Sequence, residues 1–108
     1  MAPRSSPPGF EGSRDATPED LESLPASTLD GVHVLERCMV EHHIAEVDYA
    51  EPNEGPETIR VLPAFIRTSK AQNIVAWCYP EGADHWIELR LDRIRAVRDT
   101  EEVFQPSW

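Results

Sequence analysis

The segment most informative about the fold is residues 89–97, Leu-Arg-Leu-Asp-Arg-Ile-Arg-Ala-Val. From Ile87 to Asp92, apolar residues alternate with charged ones, which is the pattern of a strand with one buried face. A second short strand, or a turn, is predicted from Ile94 to Arg98. Four of the ten basic residues of the chain lie between positions 90 and 98. They form one continuous patch only if the chain bends near Asp92.

Four further strands are predicted upstream of this segment. Residues 45–49 alternate between apolar and acidic side chains, and residues 74–79 are apolar on both faces, which indicates a central, covered strand. Residues 58–62 and 65–68 flank Pro63, which has no N–H to donate and therefore ends or bends a strand. The sequence thus predicts several short antiparallel strands joined by turns.

One helix is predicted before the strands, over residues 27–43. Ser27 is its predicted N-cap, since a serine side chain accepts a hydrogen bond from the first free N–H groups. An apolar stripe at helical spacing follows: Leu29, Val32, Leu35, Cys38, Met39 and His42. One helix and about five strands predict a mainly β fold built on a small, strongly bent antiparallel sheet or barrel.

The ends of the chain differ in composition from this region. Residues 1–26 hold five of the ten prolines and few large apolar side chains, which predicts a disordered tail. A short binding segment at residues 18–24 is the alternative for part of it. The folded domain is predicted over residues 27–104, with a C-terminal tail at 105–108.

Composition excludes several functional classes. The formal net charge of −10 argues against a general binder of nucleic acid or anionic membranes. No apolar run approaches the roughly 18 residues of a membrane span, and the N-terminus has no apolar signal region. Two cysteines, Cys38 and Cys78, are expected to be reduced thiols in a cytoplasmic protein.

Four features in order along the chain resemble the WYL domain family. They are Tyr49 at the end of the first strand and the segments 60–63 (Arg-Val-Leu-Pro), 72–78 (Gln-Asn-Ile-Val-Ala-Trp-Cys) and 89–97. The last segment is similar to the closing Leu-Asp-Arg-Ile signature of that family and is the most specific of them. The resemblance implies a small Sm-like, SH3-like β-barrel with one N-terminal helix.

The resemblance also implies a bacterial regulatory module. WYL domains usually follow a DNA-binding helix-turn-helix and are thought to sense nucleotides, cyclic oligonucleotides or single-stranded nucleic acid through a basic and aromatic pocket. No helix-turn-helix fits into the residues before the predicted helix. We therefore expect a stand-alone domain that acts with a separate DNA-binding regulator protein, and homodimerisation is consistent with such a small β fold.

The sequence departs from the family pattern at the positions that matter for ligands. Gln72 and Asn73 stand where the family has its Trp and Tyr, and Ile87 stands where it has an arginine. Stacking of a base requires a π-face, which glutamine and asparagine lack, and loss of one stacking partner costs about 1–3 kcal/mol per base. The pocket implied by the resemblance is therefore altered in this chain.

Five residues are the candidates for a ligand-binding site. Guanidinium groups suit bidentate recognition of phosphate, and aromatic rings suit base stacking. The alternatives are ion pairs with neighbouring carboxylates for the arginines and core packing for the tryptophans. The candidates are Arg60, Arg90, Arg93, Trp77 and Trp86.

Two functions remain open on the sequence alone. The first is a regulatory domain that binds a small anionic ligand, such as a nucleotide or a short single strand. The second is a protein-interaction adaptor that has kept the barrel and lost ligand binding. Convergence of Arg60, Arg90 and Arg93 on one cavity would favour the first, and their divergence to separate carboxylates would favour the second.

Neither a metal site nor an active site is predicted. Cys38 and His42 share a helical face, but a structural zinc site needs four convergent ligands and no paired Cys-x-x-Cys is present. Cys78 lies between aromatic residues in an apparently buried strand, where a reactive thiolate is unfavourable. No catalytic residue, metal ligand or cofactor is therefore expected.

Overall fold

The computed structural model describes residues 12–51 and 53–106. The described elements are two α-helices, six strands and one turn of 3-10 helix. In chain order they are β1 (Arg14–Asp15), α1 (Pro18–Glu22), α2 (Ala26–Glu41), β2 (His43–Tyr49), β3 (Glu57–Thr68), β4 (Ile74–Pro80), β5 (Ile87–Arg90), the 3-10 turn Leu91–Arg93, and β6 (Ile94–Val103). The predicted mainly β composition with a helix before the main strands is thus confirmed.

The strands form one antiparallel sheet in the order β5-β4-β3-β2-β6, and β1 pairs with β3 beside this path. Its two edge strands, β5 and β6, are joined by only the three residues Leu91–Arg93. A flat path of five strands would hold its edges about 19 Å apart. The link spans four residue steps, from Arg90 to Ile94, and an extended chain of that length reaches at most about 14 Å. The sheet therefore has to curl strongly.

Contacts of Tyr49 hold the curled sheet together. Tyr49 lies opposite Ile94 in the pairing of β2 with β6, and its hydroxyl oxygen accepts a hydrogen bond of 2.9 Å from the N–H of Arg90. The N–H of Ala50 donates to the carbonyl of Arg93 at 3.1 Å. In the described part of the chain, β5 and β6 are not paired with each other. The sheet is therefore curled and open, and not the closed barrel that was expected.

The concave face of the sheet packs against α2. Val32, Leu35 and Cys38 of α2 have no exposed surface, in agreement with the predicted helical stripe. They join a single hydrophobic cluster with Val47 and Leu91. His42, predicted in the same stripe, is exposed instead, because it ends the helix in a left-handed conformation with φ of 56°.

Two boundaries near the helix and Pro63 differ from prediction. Helix α2 begins at Ala26 after Pro25, and no side chain caps it, so Ser27 is not its N-cap. The two strands predicted around Pro63 are one strand, β3, with a register shift between Pro63 and Phe65. An extra residue at such a bulge bends the strand without ending it.

Part of the predicted disordered tail is structured. Within residues 1–26, residues 1–11 lie outside the described part of the chain, whereas β1 pairs with β3 and α1 follows it. Thr17 and Asp20 form a reciprocal capping box at the start of α1. Asp20 also accepts hydrogen bonds from Arg14 at 2.6 Å and from Thr68 at 3.1 Å. The entropy argument from proline content missed these local hydrogen bonds.

Replacement of Leu91 by alanine tests the importance of the link between the edge strands. Leu91 is fully buried in the turn that joins the two edge strands, so Leu91→Ala is expected to lower the free energy of unfolding by about 2–5 kcal/mol. Val40 is 79% exposed, and Val40→Ala is expected to change it by less than about 0.5 kcal/mol. Urea unfolding followed by circular dichroism measures both, and equal effects would contradict this assignment.

Candidate functional site

Arg60 is neutralised by carboxylates of three different chain segments. Its Nε donates to Glu81 at 2.9 Å and its NH2 group donates to Glu102 at 2.6 Å. A third carboxylate, Glu46 on the neighbouring strand β2, is 4.0 Å away. The hydrogen bond from Arg60 lowers the pKa of Glu81, which therefore stays ionised beside it. An incoming phosphate at Arg60 would meet three negative charges around one guanidinium.

Arg90 lies beside a small cavity but is bound to its own neighbour. It makes a two-pronged pair with Asp92, with nitrogen–oxygen distances of 3.1 and 2.7 Å. The same hydrogen bonds raise the pKa of Arg90 and lower that of Asp92. The cavity has a volume of about 140 Å³, and Gln72 and Asn73 contribute to its lining together with Arg90 and Asp92.

This cavity lies at the positions that the resemblance to WYL domains matches to the name-giving residues of that family. Gln72, Asn73 and Ile74 line it where the resemblance expects Trp, Tyr and Leu, and Ser23 and Leu24 close it from the segment after α1. The lining offers no aromatic face for a base. Its one guanidinium already donates through Nε and Nη2 to the carboxylate of Asp92.

Arg93 is separate from both of these groups. It lies in the 3-10 turn, is half-buried, and its carbonyl accepts the hydrogen bond from Ala50. It does not line the cavity beside Arg90, and neither does Arg60. Arg60 and Arg90 are thus held by different carboxylates, which is the arrangement expected for an adaptor.

The two tryptophans of the predicted site have different environments. Trp77 is 5% exposed within β4, where it lies opposite Phe65 of β3. Trp86 packs edge-on against Tyr79 with ring centroids 4.4 Å apart, and its ring lies 5.8 Å from that of Phe65. The aromatic residues therefore form a packed cluster on the sheet. The site residues predicted from the sequence include Trp77 and Trp86 but not Phe65 or Tyr79, whose rings contact Trp86.

A row of charges crosses the outer face of β3, β2 and β6. Glu46 lies opposite both Arg60 and Arg98 in the strand register, and Arg98 donates to it at 2.8 Å. Arg98 also binds Asp48 through both terminal nitrogens at 3.0 and 2.7 Å. The guanidinium of Arg98, followed by the hydroxyl of Thr58, lowers the pKa of Asp48 to about 2. Alternating signs at directly opposed positions stabilise such a face.

Buried thiols and the histidines do not assemble into a recognisable site. Cys38 and Cys78 are fully buried, and burial raises the pKa of their thiols to about 11 and about 12. His43 shares Asp99 with Arg37, with nitrogen–oxygen distances of 2.9 and 3.3 Å. Within residues 12–51 and 53–106, no three metal-ligating side chains come together, and no helix is long and apolar enough to cross a membrane.

Comparisons with known proteins bear on the fold. No protein-family model matches the sequence, and no curated protein matches it. The chain is similar in structure to proteasome accessory factor B/C (PafBC) of Arthrobacter aurescens, with a TM-score of 0.63 and 13% sequence identity over 87% of this chain. It spans 14% of the length of PafBC. PafBC is a WYL-domain-containing transcription regulator, so this similarity supports a WYL-like fold.

The pair of Arg98 with Asp48 predicts a pH-dependent contribution to stability. A carboxylate with a lowered pKa stabilises the folded state above its unfolded pKa of about 3.9, and this contribution is lost as the pH falls towards 2. Arg98→Gln is therefore expected to lower the Tm at pH 7, and the gap to the wild type is expected to narrow near pH 2.

Arg95 provides the matched control for that experiment. It lies on the same strand, is exposed, and makes no ion pair with the part of the chain that the structure describes. Arg95→Gln is expected to change the Tm little at either pH, as measured by differential scanning fluorimetry or calorimetry. A difference in Tm between Arg98→Gln and the wild type that is equally large at pH 7 and pH 2 would contradict the assignment.

The two thiols are expected to be unreactive in the folded protein. Alkylation by iodoacetamide requires an accessible thiolate, and both sulfurs are buried with a raised pKa. At pH 8 the native chain is expected to react at least about 100-fold more slowly than the urea-unfolded chain, because reaction needs transient opening. Mass spectrometry of timed samples measures both rates. Rapid labelling of native Cys78 would show that β4 is accessible.

Proposed function

We propose that this chain is a WYL-like regulatory domain that works as a protein-interaction adaptor. The observation that carries the proposal is the pairing of two of its three candidate arginines, Arg60 and Arg90, with the chain's own carboxylates. Arg60 is held by Glu81 and Glu102, and Arg90 is held by Asp92. A domain that bound anions through these groups would have to break those pairs first.

Electrostatics favours the adaptor over an anion sensor. Displacing Asp92 from Arg90 would leave a carboxylate beside the incoming anion, and like charges at such short range repel. At Arg60 the three surrounding glutamates outnumber the guanidinium. The chain as a whole has a formal charge of −10, which opposes the approach of a polyanion at low salt.

The partner in this proposal is a separate regulator protein that contacts DNA itself. The fold similarity to PafBC suggests a regulatory setting, and the chain spans 14% of the length of that protein. An adaptor of this kind would act through protein contacts in place of base contacts. The proposal includes no catalytic step and no cofactor.

Sensing of a small anionic ligand is the second candidate. One observation favours it, namely the cavity of about 140 Å³ at the name-giving positions with Arg90 in its wall. In that case the ligand would replace Asp92 as the partner of the guanidinium. It would be a small anion that binds without aromatic stacking.

Binding of a labelled single-stranded 20-mer separates the two candidates. Fluorescence anisotropy at about 50 and 200 mM salt reveals phosphate contacts as a steep loss of affinity with salt. The adaptor proposal expects no binding at high micromolar protein, and it expects Arg93→Ala and Arg90→Ala to leave the signal unchanged. ATP and a cyclic dinucleotide, added in thermal-shift assays, extend the same test to small anions.

Salt-sensitive binding that either substitution abolishes would overturn the adaptor proposal in favour of ligand sensing. Arg95→Ala is the matched control, because it removes one exposed positive charge near Arg93 without touching the candidate cavity. Each variant is first checked by circular dichroism for an unchanged fold.

A further inference from the structure

A cleft with a volume of about 450 Å³ opens at one end of the curled sheet. Its walls include Ile59 of β3 and Ile87 and Leu89 of β5, so aliphatic side chains from two separated strands face the same space. Ile59 and Ile87 are half-buried, whereas Leu89 is 3% exposed. The cleft exists because β5 does not pair with the β2–β6 side of the sheet. An apolar surface of this kind gains free energy when a partner side chain displaces its water.

The rim of this cleft is acidic. Glu51, Glu57 and Glu88 line it, all three are exposed, and none forms an ion pair within the part of the chain that the structure describes. The two neighbouring stretches, residues 50–57 and 80–88, contain six acidic residues and no lysine or arginine. Glu81, one of these six, is paired with Arg60, so the contrast with the outer face concerns the three rim glutamates. The cleft therefore complements a ligand with both an apolar group and positive charge.

The free edge of β5 points to a peptide as the occupant. In β5 the N–H of Arg90 is directed away from β4, since it donates to the hydroxyl of Tyr49. Groups two residues apart in a strand share a side, so the N–H and C=O of Glu88 also face away from β4. No described strand pairs with that side. An extended peptide can add there through main-chain hydrogen bonds to the N–H and C=O of Glu88, while a side chain enters the cleft.

We propose that the cleft between Ile59 and β5 binds a basic peptide segment of a protein partner, with an aliphatic anchor in the cleft and lysine or arginine against Glu51, Glu57 and Glu88. The proposal rests on the adaptor function and identifies the surface and partner chemistry through which it operates. A polyanion is excluded from this cleft by the same three carboxylates.

The test uses the full chain and a fluorescent peptide of about ten residues that alternates leucine with lysine. Two companion peptides alternate leucine with glutamate and serine with lysine, which remove the positive charge and the anchor respectively. Anisotropy is measured at about 50 and 200 mM salt, because exposed charges are screened over about 10 Å at 0.1 M. Only the leucine–lysine peptide is expected to bind, and more weakly at the higher salt.

Charge-reversal variants locate the site. Glu57→Lys with Glu88→Lys is expected to weaken peptide binding at least about tenfold, since it replaces attraction by repulsion at the rim. The matched control, Glu22→Lys with Glu41→Lys, changes the net charge equally at exposed helical positions outside the cleft. It is expected to change affinity by no more than about twofold. Thermal melts establish that both double variants are folded.

Four results would overturn the proposal. They are no binding of the leucine–lysine peptide, equal weakening by both double variants, equal binding of the serine–lysine peptide or spermidine, and a homodimer in sedimentation whose formation blocks the peptide. The first two results would show that the cleft is not a peptide site, and the third would show a site that takes positive charge without an apolar anchor. The fourth would identify a second copy of the chain as the occupant. The adaptor function fails on a different result, salt-sensitive oligonucleotide binding that Arg90→Ala or Arg93→Ala abolishes.

Discussion

The three-residue link Leu91–Arg93 is the constraint on which the rest of the structure depends. It joins strands at opposite edges of the sheet, so the sheet has to curl until those edges are within reach. Curling creates a concave face, and α2 fills it with Val32, Leu35 and Cys38. The buried side chain of Leu91 and the bond from Arg90 to Tyr49 fix the closure. These contacts hold the two edges together without main-chain pairing between β5 and β6. Strand β5 therefore keeps a free edge.

Charge pairing divides the surface into two regions with different properties. On the outer face, Arg60 and Arg98 lie opposite Glu46 and are surrounded by further carboxylates, so both guanidinium charges are neutralised within that face. At the open end, by contrast, the rim residues Glu51, Glu57 and Glu88 form no ion pair within the part of the chain that the structure describes. The negative charge of these three glutamates can therefore act on an approaching partner. Of the arginines that suggested an anion site from sequence, Arg60 belongs to the first region, whereas Arg90 is paired with Asp92 beside the small cavity.

Sequence patterns predicted the elements well where one physical signal dominated. The alternation from Ile87 and the double-faced apolar run at residues 74–79 gave β5 and β4, and the helical stripe gave the buried face of α2. The role of the arginines could not be predicted, because Arg60 meets Glu81 and Glu102 from segments 21 and 42 residues away. Barrel closure was expected from the resemblance and is absent, since no local pattern reports which edges pair.

The acidic side chains at the open end also protect the free edge of β5 from unwanted pairing. An unpaired edge with aliphatic neighbours such as Ile87 and Leu89 invites pairing with any exposed strand, including another copy of the same chain. Two copies would bring their glutamate rims together, and this repulsion opposes self-association. A basic segment turns the same charges into attraction. The rim of Glu51, Glu57 and Glu88 thus selects between partners by the sign of their charge. The apolar cleft beneath it then binds the aliphatic side chain of the basic segment.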